Sequence, residues 1–285
     1  MTFTEKYSKI LDIVKPDIDK INLVEEIYIQ EPLKSKLSNI LGAPSKHIRA
    51  LVSVLYLRAI NSDIDEKQIK YQTAIELVHN ASLIHDDVID KSFERRGVKT
   101  LNFEFDSKLA VIAGDYLLSI AMQKVLDLNI PELSKLFCKT LEEMTKGEIS
   151  QYYNKNRIPT IEKYITKSEQ TPAKLFETAL AGAMIISCHS DALSSNKTFA
   201  KNFGIAFQIR DDLINCKTTK SDIKEGIYTA PVMYSGGVNI TDDAIEKTKS
   251  LLNNYLEKAQ NVLKDIEDNK YRVALIELLG LLKYE

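Results

Sequence analysis

The sequence predicts an all-α protein, and three observations support this fold class. The 285 residues include only 10 glycines and 7 prolines, so few turn signals interrupt the chain. Hydrophobic residues recur mainly three and four positions apart, which is the period of one helix face. Alternating runs of valine, isoleucine and threonine, which would indicate strands, are few.

The longest predicted helices follow this period between prolines, which favour the first turn of a helix and disrupt its interior. Parts of two of them, residues 74–89 and 203–214, are apolar on most faces except where their acidic and few other polar residues lie, which is typical of helices inside a bundle. No linker or low-complexity stretch divides the chain, so residues 1–285 are expected to form a single domain. The predicted helices cover residues 46–62, 66–90, 106–127, 131–155, 172–193, 197–217 and 242–267.

The composition is that of a soluble globular protein, with 44% hydrophobic and 27% charged residues and a net charge of −2. Lysines and acids are interspersed, so no basic field would gather nucleic acid. Cys138, Cys188 and Cys216 lack the spacing of a disulfide framework or a zinc site, which favours a reducing, cytoplasmic setting. The N-terminus carries charges where a signal peptide would be apolar, and we expect at most peripheral membrane contact.

The first candidate site lies at the end of the second predicted helix. Asp86 and Asp90 are one turn apart on one face, and Asp87 is about 100° around from Asp86. Carboxylates that follow the apolar run at residues 81–84 are costly to bury unless a cation compensates them. Their oxygen ligands favour Mg²⁺, which commonly bridges carboxylates and phosphates. For this segment alone, a solvated acidic helix end explains the pattern equally well.

A second acidic segment repeats the arrangement. Asp211, Asp212 and Asn215 end another apolar helix and place oxygen atoms at positions i, i+1 and i+4. If the two helices face one another, their carboxylates would surround a metal cluster. The alternative is a pair of unrelated exposed helix ends.

Cationic residues lie near the first acidic segment in the sequence. Arg95 and Arg96 follow it, and Lys46, Arg49 and His79 precede it. All five side chains could donate charge-assisted hydrogen bonds to phosphate oxygens. Taken singly, each is typical of a solvated surface or of a structural histidine. Together they could serve a second diphosphate beside a metal-bound one.

The chain contains a series of ordered motifs at residues 76–79, 83–90 with 95–97, 113–119, 147–148 with Gln151, and 203–212. In these motifs it resembles the trans-isoprenyl diphosphate (polyprenyl) synthases from about Lys46 to Tyr234. The resemblance implies an all-α bundle of ten or more helices around a deep central cavity, usually in a homodimer, with the two acidic motifs facing each other across its mouth.

The resemblance also implies a role for each matching residue. Its reaction is the Mg²⁺-dependent condensation of isopentenyl diphosphate with an allylic diphosphate. The implied magnesium ligands are Asp86, Asp90 and Asp211, supported by Asp87 and Asp212. Arg95 and Gln208 would contact the allylic diphosphate, and the diphosphate of isopentenyl diphosphate would be held by Lys46, Arg49, His79 and Arg96.

In this family, the positions four and five residues before the first aspartate line the hydrocarbon tunnel. Here they are Ser82 and Ala81. Because small side chains leave the tunnel open, the sequence is similar to the longer-chain synthases.

The chain departs from the family pattern in the first basic motif, where residues 45–50 read Ser-Lys-His-Ile-Arg-Ala instead of Gly-Lys-Arg-x-Arg-Pro, and at three further positions. Thr171 stands where a lysine would touch the allylic diphosphate, Ile227 replaces a second lysine, and Asn215 replaces an aspartate. Thr171 and Pro172 predict an N-cap and first turn, and Lys174 could substitute from the next turn.

An active synthase is the primary hypothesis. The rival is a non-catalytic or weakly active subunit that adjusts the product length of a partner synthase, so the assembly could also be a heteromer. A terpene cyclase fits less well, because the segment from Asp211 lacks the downstream serine and glutamate of that family's second metal motif.

Overall fold

The computed structural model describes residues 3–43, 45–189 and 193–284. The all-α prediction is confirmed, because the described residues form fifteen α-helices and one short β-hairpin. In chain order these elements are α1 (Phe3–Asp12), α2 (Lys15–Ile18), α3 (Leu33–Gly42), α4 (Ile48–Ala59), α5 (Glu66–Ile89), β1 (Glu94–Arg95), β2 (Val98–Lys99), α6 (Leu101–Glu104), α7 (Ser107–Leu126), α8 (Pro131–Asn154), α9 (Ile161–Gln170), α10 (Pro172–Ile186), α11 (Leu193–Lys217), α12 (Ser221–Lys224), α13 (Ala230–Ser235), α14 (Asp242–Val262) and α15 (Lys270–Leu282).

Helices α4, α5, α10 and α11 carry the most buried residues and form the centre of the bundle. Helix α5 runs along α7, and α11 lies between α10 and α14. Helix α10 is buried on all sides in its middle, from Thr178 to Met184, as expected of a helix that is apolar around its whole circumference. A Cβ atom on Gly204 would lie 2.4 Å from the Cα atom of Ala173, so the missing side chain lets α10 and α11 approach closely.

Local capping explains why most helix starts were predictable. The side chain of Asp65 accepts a hydrogen bond from the backbone N–H of Gln68 at 2.9 Å, and Asp106 accepts one from Leu109 at 2.7 Å. Both are N-caps, which satisfy donors that the first helical turn leaves unpaired.

The predicted helix 172–193 is too long at its C-terminal end. Helix α10 ends at Ile186, and Cys188 takes a left-handed conformation with φ of 57°. The N–H of His189 then donates to the carbonyl of Met184 at 3.1 Å, which is the closing bond of a Schellman motif. Helix α11 begins at Leu193, four residues before the predicted start at 197. Residues 190–192 of the predicted helix lie outside the described part of the chain.

The predicted break at Thr171 and Pro172 is confirmed, since α9 ends at Gln170 and α10 begins at Pro172. The predicted N-cap by the Thr171 side chain is not confirmed. The Thr171 hydroxyl donates backward to the carbonyl of Lys167 at 2.8 Å and makes no cap to α10.

The hairpin that follows α5 was not predicted. Arg96 and Gly97 form its two-residue turn with φ values of 54° and 77°. Positive φ at both positions is the requirement of a type I′ turn, which glycine meets without strain. This turn presents Arg95 and Arg96 beside the C-terminal end of α5.

Helix α7 is unusually exposed for its composition. By length and composition it could cross a membrane, although the core helices of soluble proteins pass the same test, and only 33% of its most apolar window is buried. Its exposed apolar side chains are Val111, Ile112, Met122 and Leu126, with 41%, 52%, 39% and 58% of their surface accessible. These four residues form the α7 face.

Candidate active site

The first acidic segment lies at the end of α5, as predicted. Asp86 and Asp90 are half-buried, and Asp90 ends the helix by donating its N–H to the carbonyl of Asp86 at 2.8 Å. Burial, followed by repulsion from Glu148 and Asp90, raises the pKa of Asp86 to about 7. Burial is the larger cause of this shift and repulsion between carboxylates the smaller one, and a bound cation would favour the ionised form against both.

Asp87 has a different environment from its two neighbours. It is buried, with 5% of its surface accessible, and Arg95 Nε donates to Asp87 Oδ1 at 2.8 Å. Burial still raises the pKa of Asp87, against the attraction of Arg95. Asp87 therefore holds the hairpin arginine in place, and its supporting role at the magnesium stays a prediction.

The second acidic segment lies near the C-terminal end of α11. Asp212 is 1% exposed and accepts hydrogen bonds from Tyr164 Oη at 2.6 Å and Gln208 Nε2 at 2.7 Å. Burial, then repulsion from Asp222, raises the pKa of Asp212 to about 7 against these donors. Gln208, expected to contact the allylic diphosphate, thus orients a carboxylate in this structure.

Asp211 faces outward from the same turn. Its side chain is 48% exposed, and its Oδ1 lies 3.8 Å from Arg210 Nη1. Partial desolvation raises the pKa of Asp211 to about 6, although Arg210, Lys46 and Arg49 attract its charge. The second segment therefore offers one accessible carboxylate and one that is firmly held.

Two acids after α11 join this group, and sequence reasoning missed both. Asp222 is half-buried, and its pKa is raised by burial and by repulsion from Asp90. The pKa of Glu225 is raised by burial and by its interaction with Asp90, with which it shares a hydrogen bond. Because Asp90 belongs to the first segment and Asp222 also repels Asp212 of the second, these charges couple the two acidic segments.

Asn215, which stands where the family has an aspartate, serves the local backbone. Its Nδ2 donates to Ser221 Oγ at 2.6 Å, and its Oδ1 accepts from the N–H of Asp222 at 3.4 Å. The amide thus fixes the start of α12, the short helix that carries Asp222.

The cation that faces the acidic group from α9 is Lys167. Its charge acts on Asp86, Asp212 and Asp222 and lowers the pKa of all three. It lies three residues after Tyr164, on the same helix face. By contrast, Lys174 Nζ lies 3.5 Å from Glu177 Oε1, and its substitution for the missing lysine stays a prediction. Because a new helix, α10, begins at Pro172, its first turn is not an extension of the α9 face that carries Lys167.

The cationic residues expected around a second diphosphate also come together. Arg49 is 9% exposed, its guanidinium lies 5.0 Å from the centre of the Phe176 ring, and its Nε has no hydrogen-bond partner among the described residues. Burial, then the charges of Arg49, Arg96 and Arg95, lowers the pKa of His79 well below its ordinary value. His79 is therefore neutral at pH 7 and can donate from one ring nitrogen only.

A buried glutamate balances this cationic group. Glu76 is 1% exposed, its Oε2 lies 3.2 Å from His47 Nδ1, and its Oε1 accepts from the N–H of Ala50 at 3.4 Å. Its charge also attracts Arg49 and Arg96. Glu76 was given no role in the sequence analysis. Its position one helical turn before His79, in an apolar segment, was the feature that could have indicated one.

The two residues expected to set product length lie on α5 above the acidic group. Ala81 is fully buried in the core. Ser82 is half-buried and donates its hydroxyl to the carbonyl of His79 at 2.8 Å. Both are within about one and a half helical turns of Asp86.

The donor set fits magnesium that is bound together with a diphosphate. Among the described residues, no three His, Cys, Asp or Glu side chains converge closely enough to hold a metal ion by themselves. Magnesium is usually held by one or two carboxylates, with water and substrate phosphates completing its shell. Burial and neighbouring carboxylates raise the pKa of Asp86 and Asp212, and an ion bound there would favour their ionised forms.

Comparisons with known proteins agree with this geometry. Residues 30–274 match the family model described as polyprenyl synthetase. The chain is 31% identical over 310 residues to a prenyl transferase of Cyanidium caldarium, covering 95% of this chain and 96% of that protein. It is 28% identical over 283 residues to heptaprenyl diphosphate synthase component 2 of Geobacillus stearothermophilus, covering 87% and 88%. The fold matches that of a polyprenyl synthase from Caulobacter crescentus complexed with calcium and isoprenyl diphosphate, with a TM-score of 0.88, 22% identity and 97% of both chains covered.

Proposed function

The chain belongs to the polyprenyl synthetase family, and from this premise we propose that it is an active, magnesium-dependent prenyl diphosphate synthase. It joins isopentenyl diphosphate to an allylic diphosphate. The observation that carries the proposal is the meeting of an acidic group around Asp86 with a cationic group around Arg49 at one end of the bundle. Asp222 repels both Asp90 and Asp212, which couples the two acidic segments, and Arg49 is near enough to Asp211 to attract its charge.

The reaction follows from these charges. The allylic C–O bond breaks, the electron pair leaves with the diphosphate, and an allylic carbocation remains. The double bond of isopentenyl diphosphate attacks this cation and forms the new C–C bond. Loss of a proton to the released diphosphate gives an allylic diphosphate one isoprenoid unit longer.

Different residues of the chain would bind the two diphosphates. Magnesium, when bound, would neutralise the departing diphosphate, and Asp86, Asp90 and Asp211 would hold it. Arg95, fixed by Asp87, and Lys167 supply positive charge on the same side.

The diphosphate of isopentenyl diphosphate would be bound by the cationic group, which consists of Lys46, Arg49, His79 and Arg96. The buried Nε of Arg49 is a donor without a partner in the described chain, which a phosphate oxygen would satisfy. No side-chain base is assigned, because the leaving diphosphate accepts the proton.

Product length follows from the helix above the acidic group. Ala81 and Ser82 present small side chains where a bulky aromatic would block a growing chain, so we expect a longer-chain product. The heptaprenyl name of one relative is in line with this expectation.

The deciding experiment is a product assay with the purified chain, Mg²⁺, labelled isopentenyl diphosphate and a farnesyl or geranylgeranyl primer. Longer prenyl diphosphates are expected, and the Asp86→Asn protein serves as the inactive control. If the chain alone yields no product but changes the product length of an added partner synthase, the subunit hypothesis replaces this one.

The chain is further proposed to work as a homodimer through the α7 face. Four exposed apolar side chains on one helix are costly in water, and an identical face on a second copy would cover them symmetrically. Light scattering after size exclusion should give a dimer, and Ile112→Glu should give a monomer. Val273→Glu changes a similarly exposed residue on α15, 43% accessible, and should remain dimeric. A wild-type monomer that becomes a complex only with a partner synthase would favour a heteromer.

A cytoplasmic location is proposed from the free thiols, since Cys138 and Cys188 are exposed and unpaired. Activity in the soluble fraction of a cell lysate is expected, and recovery only in the membrane fraction would contradict it.

A further inference from the structure

The geometry points to Phe3 and Tyr7 of helix α1 as positioning residues for Lys46 and Arg210 beside the site of the second diphosphate. This inference rests on the proposed function, because it assigns these two cations to the diphosphate of isopentenyl diphosphate.

The ring of Phe3 contacts two cations at once. Lys46 Nζ lies 4.5 Å from the ring centre, and the guanidinium carbon of Arg210 lies 4.9 Å from it. An aromatic face carries partial negative charge and attracts cations at this range. Asp211 also attracts both cations, with its Oδ1 3.8 Å from Arg210 Nη1 and its charge acting on Lys46. Among the described residues, however, no carboxylate lies within ion-pair distance of Lys46, so the ring is its nearest electronegative group.

A ring suits this position better than a carboxylate would. The charges of Lys46 and Arg210 repel each other, and this repulsion adds to partial burial in lowering the pKa of Lys46. A carboxylate would relieve the repulsion but would compete with a diphosphate for both cations. The weaker attraction of the ring holds the two side chains together and leaves their charge available.

Tyr7 fixes the backbone from which Lys46 extends. It lies one turn after Phe3, and the two rings stack with 6.1 Å between centres and 8° between planes. Its hydroxyl donates to the backbone carbonyl of Lys46. Tyr7 is 7% exposed and packs in the hydrophobic core, so the position of its hydroxyl is fixed.

The neighbouring backbone also needs this support. His47 follows Lys46 with φ of 42° and precedes the first turn of α4. A left-handed conformation at a residue other than glycine persists only where the surroundings hold it. The hydrogen bond to Tyr7 and the contact of His47 with Glu76 hold this turn from both sides.

The test separates binding from turnover. Phe3→Leu keeps an apolar side chain but removes the ring face, and it should raise the KM for isopentenyl diphosphate about 3- to 10-fold. The kcat should stay within about twofold, because the reacting carbons are untouched. Phe3→Trp restores an aromatic face and should restore the KM.

Two further variants complete the comparison. Tyr7→Phe keeps the stack but loses the hydrogen bond to Lys46, and it should raise the same KM. Tyr255→Leu removes another cation–aromatic contact, with Lys258 at 4.8 Å on α14, and should leave the KM unchanged.

Calorimetric binding of inorganic pyrophosphate gives a readout that does not depend on turnover. Wild type and Phe3→Trp should bind pyrophosphate more tightly than Phe3→Leu. An unchanged KM and unchanged pyrophosphate binding in Phe3→Leu would overturn the inference, as would failure of Phe3→Trp to rescue them. If the three proteins bind pyrophosphate in this order but the wild-type chain makes no product, the proposed synthase function is refuted and the positioning role stands.

Discussion

The metal-free protein should lose stability as the pH rises from 6 to 8, and magnesium should remove that loss. In the folded chain Asp86 and Asp212 keep their protons up to a pKa of about 7, whereas in the unfolded chain both ionise near 3.9. The folded state therefore binds more protons in this window. Under linkage, the stabilisation is present below the folded pKa and is lost as the pH rises through it.

The size of the loss can be worked out for each group. A carboxyl group whose folded pKa is near 7 loses about 1.4 kcal/mol between pH 6 and pH 8. Asp212 is almost fully buried and should show this value, whereas Asp86 is half-buried and its share is an upper limit. His79 acts oppositely, because its lowered pKa costs stability toward low pH. The net loss is about 1–2 kcal/mol, or roughly 2–8 °C in melting temperature.

The measurement is a series of thermal melts with a chelator and with excess Mg²⁺ across this pH range. Magnesium binds the ionised carboxylates, so its addition should flatten or reverse the slope. Asp212→Asn should reduce the slope in the metal-free protein. Asp243→Asn, which changes a side chain that is 70% exposed on α14, should leave it unchanged. A melting temperature that stays constant or rises with pH in the chelator would refute the reasoning.

Three further outcomes concern catalysis. Asp86→Asn should lower turnover roughly 100- to 1,000-fold with an unchanged circular dichroism spectrum, and retained activity would contradict the metal-ligand assignment. Lys167→Met should lower kcat/KM for the allylic diphosphate about 10-fold or more, while Lys174→Met, which breaks only a contact with Glu177, should stay within about twofold; steady-state kinetics compares the two. Ala81→Phe should shorten the product in a chromatographic assay, whereas an unchanged chain length would show that the hydrocarbon passes elsewhere.

The predictable parts of the fold were those that neighbouring residues determine. Asp65 and Asp106 cap their helices through hydrogen bonds three residues away, so the sequence alone indicates where α5 and α7 begin. The end of α10 depends on a left-handed Cys188, a conformation that residue type does not indicate. The hairpin after α5 has two residues in each strand, too few for a pattern of alternation to emerge.

Sequence reasoning likewise found the site residues that lie close together along the chain. The carboxylates of α5 and α11 lie close together within each segment, so helical spacing identifies them. Lys167, Asp222 and Glu225 belong to other segments and reach the site only through tertiary packing. Only the folded chain could show that Lys167 rather than Lys174 faces the carboxylates, because the change of helix at Pro172 decides it.

These additions change how the second acidic segment should be understood. Its sequence has Asn215 where the family has an aspartate, which suggests a loss of negative charge. In the structure the Asn215 amide instead fixes the start of α12, and Asp222 on that helix repels both Asp90 and Asp212. A carboxylate has thus been supplied from the next helix, and Lys167 supplies a cation from the helix before Thr171. Because both compensating charges act on the two segments together, the acidic group works as one electrostatic unit, and a change in either segment should alter the protonation of the other.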